Sequence, residues 1–260
     1  MAQYVIELEG KLFSSFKEFG ENIYLHEDAA EKLLTSPKFL RILKDEEPEM
    51  FKKLIKINHE AREFQEFVFL AQYIFNPFMN IRHHGYQFNT LKELGDKILE
   101  FGPEVDVYLK DFLKFKLLSK YMVMMGWNDS KPQIYSQILE LERLFSINEN
   151  KSYFLLGFVL GQCDIMRYWK RDYSNEVDFF DEMRSPFNIV SYSSLIDKSQ
   201  YVLAWLTVKG REKEVKEYED IVQLVESMEK SYDKRKWTIP EMVKWNINAK
   251  VSKRTARKYV

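Results

Sequence analysis

Histidine is the side chain best suited to binding a metal ion near neutral pH, and this chain has four: His26, His59, His83 and His84. His59 precedes Glu60 and Glu63 in a pattern like the start of a zinc-protease helix, but that motif needs a second histidine at position 63. His83 and His84 are adjacent, so on a strand they would point to opposite sides and could not easily bind one ion together. The sequence therefore predicts no metal site.

A second group with possible chemistry is acidic and consists of Glu176, Asp178, Asp181 and Glu182. Carboxylates at this density can hold a divalent cation, as in a metal-dependent nuclease, although such clusters are more often solvated loops. Residues 171–192 are accordingly expected to be irregular.

The single cysteine, Cys163, has no histidine near it in sequence, which favours a buried small side chain over a nucleophile. Phosphate-loop and dinucleotide glycine motifs are absent, so we expect no cofactor and no catalytic residues.

The N-terminal part of the chain contains two copies of one sequence segment. Residues 10–23 and 85–98 match in phase, with identical Gly, Phe, Lys, Glu, Gly and Ile at six of fourteen positions. Each copy has an extended start, a glycine that permits positive φ, a second extended segment and an apolar stripe at helical spacing. The sequence therefore predicts a duplicated β-hairpin-plus-helix unit near residues 4–14 and 79–89.

Elsewhere the chain favours helices, because 9 Gly and 7 Pro in 260 residues leave few positions for tight turns. Residues 152–168 are expected to form a central core helix, with Gly157 and Gly161 on one face for close packing. Residues 211–233 form an amphipathic pattern. The predicted fold is mainly α, with two repeats and helical extensions. The predicted segments are 1–75, 76–150, 151–233 and 234–260.

The charge distribution is strongly uneven although the net charge is only −1. Residues 234–260 contain nine basic residues and one acid, a formal charge of +8, which leaves −9 for residues 1–233. A basic end on an acidic body is typical of proteins that bind a polyanion.

The basic end also has a recognisable pattern. Thr238 and Pro240 suit the start of one helix, residues 247–251 suit a turn, and Ser252 suits the cap of a second helix. Residues 237–260 thus resemble a helix-turn-helix DNA-binding unit of bacterial regulators, without the strand pair of a winged variant. The resemblance implies base-edge contacts from Arg254 and Arg257. The full set of DNA-binding residues it implies is Lys244, Lys250, Ser252, Lys253, Arg254, Arg257 and Lys258.

These patterns favour a non-enzymatic regulator that binds double-stranded DNA through its basic end and a partner or ligand through its duplicated helical body. The amphipathic pattern also allows a homodimer. The alternative is a protein-interaction module of phage or bacterial-defence type that does not bind DNA. A metal-dependent nuclease that uses the acidic group is a weaker alternative.

The N-terminus lacks a signal-peptide pattern, and the most apolar run, residues 153–160, is too short to span a bilayer. We therefore expect a cytoplasmic protein without membrane contact.

Overall fold

The computed structural model describes residues 5–77, 79–161, 165–168, 171–183 and 193–231. These residues form fourteen α-helices and three two-stranded antiparallel sheets, which confirms the mainly α fold. The strands are β1 (Ile6–Leu8), β2 (Lys11–Phe13), β3 (Ile81–His83), β4 (Tyr86–Phe88), β5 (Met166–Tyr168) and β6 (Arg171–Tyr173). The helices are α1 (Phe16–Gly20), α2 (Glu27–Leu34), α3 (Pro37–Glu46), α4 (Pro48–Glu60), α5 (Phe64–Phe75), α6 (Leu91–Leu99), α7 (Val107–Lys114), α8 (Leu117–Met124), α9 (Trp127–Ser130), α10 (Pro132–Phe145), α11 (Glu149–Gly161), α12 (Glu176–Met183), α13 (Ser193–Val208) and α14 (Glu212–Ser231), with a short 3-10 helix at Ile23–Leu25.

The chain divides into two compact bodies. The first body contains residues 1–94 and 106–149, and the second contains residues 95–105 and 150–260. Most of the predicted segments 1–75 and 76–150 therefore belong to one body. The predicted helix-turn-helix segment, 234–260, lies outside the described residues. Within the described part of the chain, the helices are too short or too polar to cross a membrane.

The two predicted hairpins are confirmed, and their registers are equivalent. Ile6 pairs with Phe13 in the first, and Ile81 pairs with Phe88 in the second. Both two-residue turns have positive φ throughout, with 49° and 79° at positions 9 and 10 and 42° and 82° at positions 84 and 85. Two successive positive φ angles define the turn whose twist matches that of antiparallel strands, and glycine favours its second position.

A third hairpin unit lies where the sequence analysis did not place one. Met166 pairs with Tyr173 in the register of the other two hairpins, and α12 follows at the same spacing. The prediction of a continuous helix over residues 152–168 is wrong for residues 165–168, which contain β5, and the expectation of irregular structure is wrong for residues 171–183. The third copy was hidden because Lys170 occupies the position of Gly10 and Gly85, which removes the turn signal.

All three units begin their helix with the same cap. The backbone N–H groups of Glu18, Glu93 and Asp178 donate to Ser15, Thr90 and Asn175 respectively. Each of these acids also accepts a hydrogen bond from a residue before its helix, namely Ser14, Asn89 and Asn175. The side-chain oxygen of each cap residue satisfies an amide group that a helix start would otherwise leave without a partner, and it fixes where each helix begins.

In the first two units, glycines bring helix backbones close together. A Cβ on Gly20 would lie 2.7 Å from Cβ of Phe75, at the end of α5. Within the second body, a Cβ on Gly95 would lie 2.1 Å from the backbone nitrogen of Gly161, on α11. Gly157 instead makes room for side chains, because a Cβ there would lie 2.6 Å from Cγ2 of Ile98. The predicted close packing at Gly157 and Gly161 is confirmed. The buried helices α5 and α11 thus serve as the surfaces on which the unit helices rest.

Candidate functional site

The second hairpin carries a group of polar side chains into the interior of the first body. His83 is the last residue of β3, and His84 is the first residue of the following turn. Both lie against Glu27, the first residue of α2, and Asp111 reaches them from α7. We call Glu27, His83, His84 and Asp111 the histidine–carboxylate cluster. Its three parts, on α2, the second hairpin and α7, are far apart in sequence and meet only through the packing of these elements.

The cluster is tightly connected. Nδ1 of His83 lies 3.1 Å from Oε1 of Glu27, and its Nε2 lies 3.3 Å from Oδ2 of Asp111. The backbone N–H of His84 donates to Oε1 of Glu27 at 2.9 Å. Nε2 of His84 lies 3.4 Å from Oε2 of Glu27 and 3.7 Å from Oδ2 of Asp111. Both imidazoles therefore face the same two carboxylates.

Burial makes these charges interact strongly. The side chain of His83 is fully buried, and that of Glu27 is 2% exposed. Burial alone would lower the pKa of His83, but hydrogen bonds to Asp111 and Glu27 outweigh it and raise that pKa to about 9. Oε2 of Glu27 is buried and accepts no hydrogen bond from the part of the chain that the structure describes, although Nε2 of His84 is close to it. A buried carboxylate oxygen without a donor is costly, so this atom has unused capacity to bind a cation.

One side of the cluster is apolar and the other opens to a cavity. The rings of Phe69 and Phe112 meet His83 edge-on, with centroids 5.8 and 5.4 Å away. Tyr108 lies over His84, with ring centroids 4.6 Å apart. Glu27 and His84 also line a cavity of about 290 Å³, together with His26 and other residues. Three of the four histidines of the chain therefore lie at or near one place.

The expectation that His83 and His84 point to opposite sides is wrong, because both rings lie against Glu27. Strand alternation applies to His83 but not to His84, because His84 has left the strand and adopts φ of +42°. This turn conformation swings its ring towards Glu27, and the two imidazole centroids are only 4.3 Å apart. Sequence reasoning also missed Glu27 and Asp111. A histidine immediately before the turn glycine was the only available signal.

The acidic group at 176–182 is not an irregular loop. Glu176 and Asp178 lie on α12, where Glu176 is buried and paired with Arg211. Asp178 accepts a hydrogen bond from Nδ2 of Asn175 at 2.7 Å, as part of the helix cap. Two of the four carboxylates thus have protein partners that explain their positions, which weakens the nuclease interpretation.

The predicted DNA-binding residues all lie outside the described residues, so the contacts implied for Arg254 and Arg257 stay predictions. Comparison with protein-family models, with curated proteins and with solved structures found no significant match. Function must therefore be inferred from the residues and their geometry.

Proposed function

We propose that this chain is a non-enzymatic regulator that binds double-stranded DNA through residues 234–260 and uses its helical bodies as a scaffold for a partner or ligand. The observation that carries the proposal is the charge of +8 in that segment against −9 in the rest of the chain. Phosphate contacts supply most of the affinity of DNA-binding proteins, and they require such a concentration of Lys and Arg.

The described part of the second body supports this division of labour. Helix α14 is described as far as Ser231, and the basic segment begins three positions later in the sequence, at Lys234. Tyr218 anchors this helix, because its side chain is fully buried and its ring lies 6.0 Å from that of Phe179. Arg211, just before α14, pairs with the buried Glu176. In the sequence, the basic segment therefore closely follows a helix that is fixed to its body.

The charge changes sign abruptly at this point. Helix α14 contains seven acidic and three basic residues, and its first turn includes Glu212 and Glu214. An acidic helix repels phosphate, so DNA contacts should be confined to the segment that follows it. This makes the proposal specific to the basic residues of that segment.

The decisive experiment measures binding of the full-length chain to duplex DNA by fluorescence anisotropy over a range of salt concentrations. We expect the affinity to fall steeply with salt, because each phosphate contact contributes a slope of about −0.9 in log K against log salt. Arg254→Ala combined with Arg257→Ala should reduce the discrimination between preferred and random duplexes at least tenfold, at about 1–3 kcal/mol per base contact.

A matched control removes the same charge from the first body. Lys32 and Lys38 are exposed on α2 and α3, so Lys32→Ala with Lys38→Ala changes the net charge equally without touching the basic segment. This variant should bind DNA as the unmodified chain does. Unchanged discrimination between duplexes by the Arg254→Ala and Arg257→Ala variant would contradict the proposal, and so would failure of the full chain to bind duplex DNA. Either result would favour the alternative of a protein-interaction module.

A further inference from the structure

We propose that Glu27, His83 and His84 form a binding site for one divalent transition-metal ion, with zinc as the ion that best fits the donor set. The inference concerns the first body and does not depend on DNA binding. It uses the three residues whose ligand atoms all lie within 4.8 Å of one another. Two imidazoles and a carboxylate are the ligands of many zinc centres that keep a further position open.

The spacing of the donor atoms suits a tetrahedral ion. Ligand atoms that bind one zinc ion at about 2.0–2.1 Å are separated from each other by about 3.3 Å. Nδ1 of His83 and Oε1 of Glu27 are 3.1 Å apart, and Nε2 of His84 and Oε2 of Glu27 are 3.4 Å apart. Glu27 is thus placed to contact an ion between the two rings.

The surroundings of these donors match those of a metal site. Nε2 of His83 lies 3.3 Å from Oδ2 of Asp111, so this ring can donate its second N–H to a carboxylate while Nδ1 binds the ion. Such an outer carboxylate orients metal-binding histidines in most known sites. Glu27 and Asp111 bring two carboxylates into a largely buried place. An ion that binds Nδ1 of His83 replaces the proton between that atom and Glu27, so one divalent ion then neutralises both carboxylates.

One atom of the cluster specifically indicates a cation. Oε2 of Glu27 is buried and accepts no hydrogen bond among the described residues. A bound ion would satisfy this oxygen. Glu27 and His84 also line the cavity of about 290 Å³, which gives solvent or a small ligand access to the remaining coordination position.

The test titrates chelator-treated full-length protein with Co²⁺, followed by visible absorption, and with Zn²⁺, followed by calorimetry. We expect one ion per chain and the intense visible bands of cobalt in a low-coordinate site. His84→Asn removes the imidazole but suits the turn, because asparagine adopts positive φ more readily than most residues. It should weaken zinc binding at least tenfold and abolish the cobalt bands.

Two further variants complete the test. Asp111→Asn should weaken binding about tenfold by removing the outer carboxylate. His59→Ala is the control, because His59 is exposed on α4, is not a member of the cluster, and should leave binding unchanged. Circular dichroism establishes whether each variant folds; if His84→Asn does not, Asp111→Asn and Glu27→Gln decide the matter.

Several outcomes would overturn the proposal. The first is that the unmodified chain binds neither ion, and the second is that the folded cluster variants bind as tightly as it does. The third is that His59→Ala removes the binding. Because no DNA is present in these titrations, failure here leaves the DNA-binding proposal untouched, and the converse also holds.

Discussion

The second and third hairpin units have the same hairpin register and the same helix cap, but different contacts hold the helix of each unit against its neighbour. In the second, Gly95 brings α6 against the backbone of Gly161, so close that a single Cβ would collide with it. At the corresponding position of the third unit stands Phe180, which is buried together with Phe179. The helix of the second unit, α6, is therefore positioned by the absence of side chains, whereas the helix of the third unit, α12, is positioned by aromatic rings.

This difference separates what defines the unit from what merely supports it. Hairpin register and the helix cap are the same in all three copies, so these features define the unit. The packing of the helix against its neighbour is interchangeable, because backbone contact and aromatic packing both produce dense interiors. Substitutions at the packing positions of the two units should therefore change the free energy of unfolding by different amounts. Substitutions at the caps should change it by similar amounts.

The largest effect is expected in the third unit. Phe179 is fully buried, and its ring centroid lies within 6.1 Å of five others, those of Tyr168, Tyr173, Phe180, Trp205 and Tyr218. Phe179→Ala should lower the free energy of unfolding by about 4 kcal/mol, since it creates a large cavity among rings. Urea unfolding followed by circular dichroism measures this loss. Val177→Ala, on the exposed face of α12, should change it by less than about 0.5 kcal/mol.

In the second unit, adding a single methyl group should be nearly as damaging. Gly95→Ala places a Cβ 2.1 Å from the nitrogen of Gly161, and backbone cannot rotate away as a side chain can. We expect a loss of about 3 kcal/mol in urea unfolding, although alanine favours helices by about 1 kcal/mol over glycine. Lys17→Ala, on the exposed surface of α1, is the control. An unchanged or higher stability for Gly95→Ala would show that α6 and α11 are not in backbone contact.

The same contrast explains how much of the fold the sequence could predict. The first two units were recognisable because glycine was retained at the turn and inside the helix, where its conformational freedom or small size is required. The third copy has Lys170 and Phe180 at these positions, and polar Glu176 where the others have Phe16 and Leu91. Its pattern therefore indicated an acidic loop, because a buried glutamate is recognisable only once its partner is known.

The candidate metal site could not be predicted for a related reason. His83 and His84 were visible, but alternation along a strand assigned them to opposite faces, and only the turn conformation of His84 brings both to Glu27. Glu27 and Asp111 lie 56 and 28 residues from His83, and contacts at such separations follow from tertiary packing alone. The basic end needed no such information, because charge composition can be counted directly.

The buried ion pair of the third unit should have an intermediate effect. Arg211→Ala leaves Glu176 buried without its cation, and we expect a loss of about 2 kcal/mol in urea unfolding because Arg211 itself is half exposed. The equivalent residues Phe16 and Leu91 are apolar, so Glu176→Leu added to Arg211→Ala should recover most of that loss. If the double variant is less stable than Arg211→Ala alone, an apolar side chain at position 176 cannot take the place of the Glu176–Arg211 ion pair.

The smallest effect concerns the feature that all three units share. Ser15→Ala, Thr90→Ala and Asn175→Ala each remove the side-chain oxygen that accepts the N–H of residue N3 of the helix. Each should cost about 1 kcal/mol, because one amide at the helix start loses its partner, while Ser15→Gly should cost only a few tenths. Urea unfolding of the three alanine variants measures these costs directly. Similar values would mean that the cap is an equivalent part of every unit whatever packs against the helix, whereas a cost confined to one unit would mean that packing, not the cap, sets where the other helices begin.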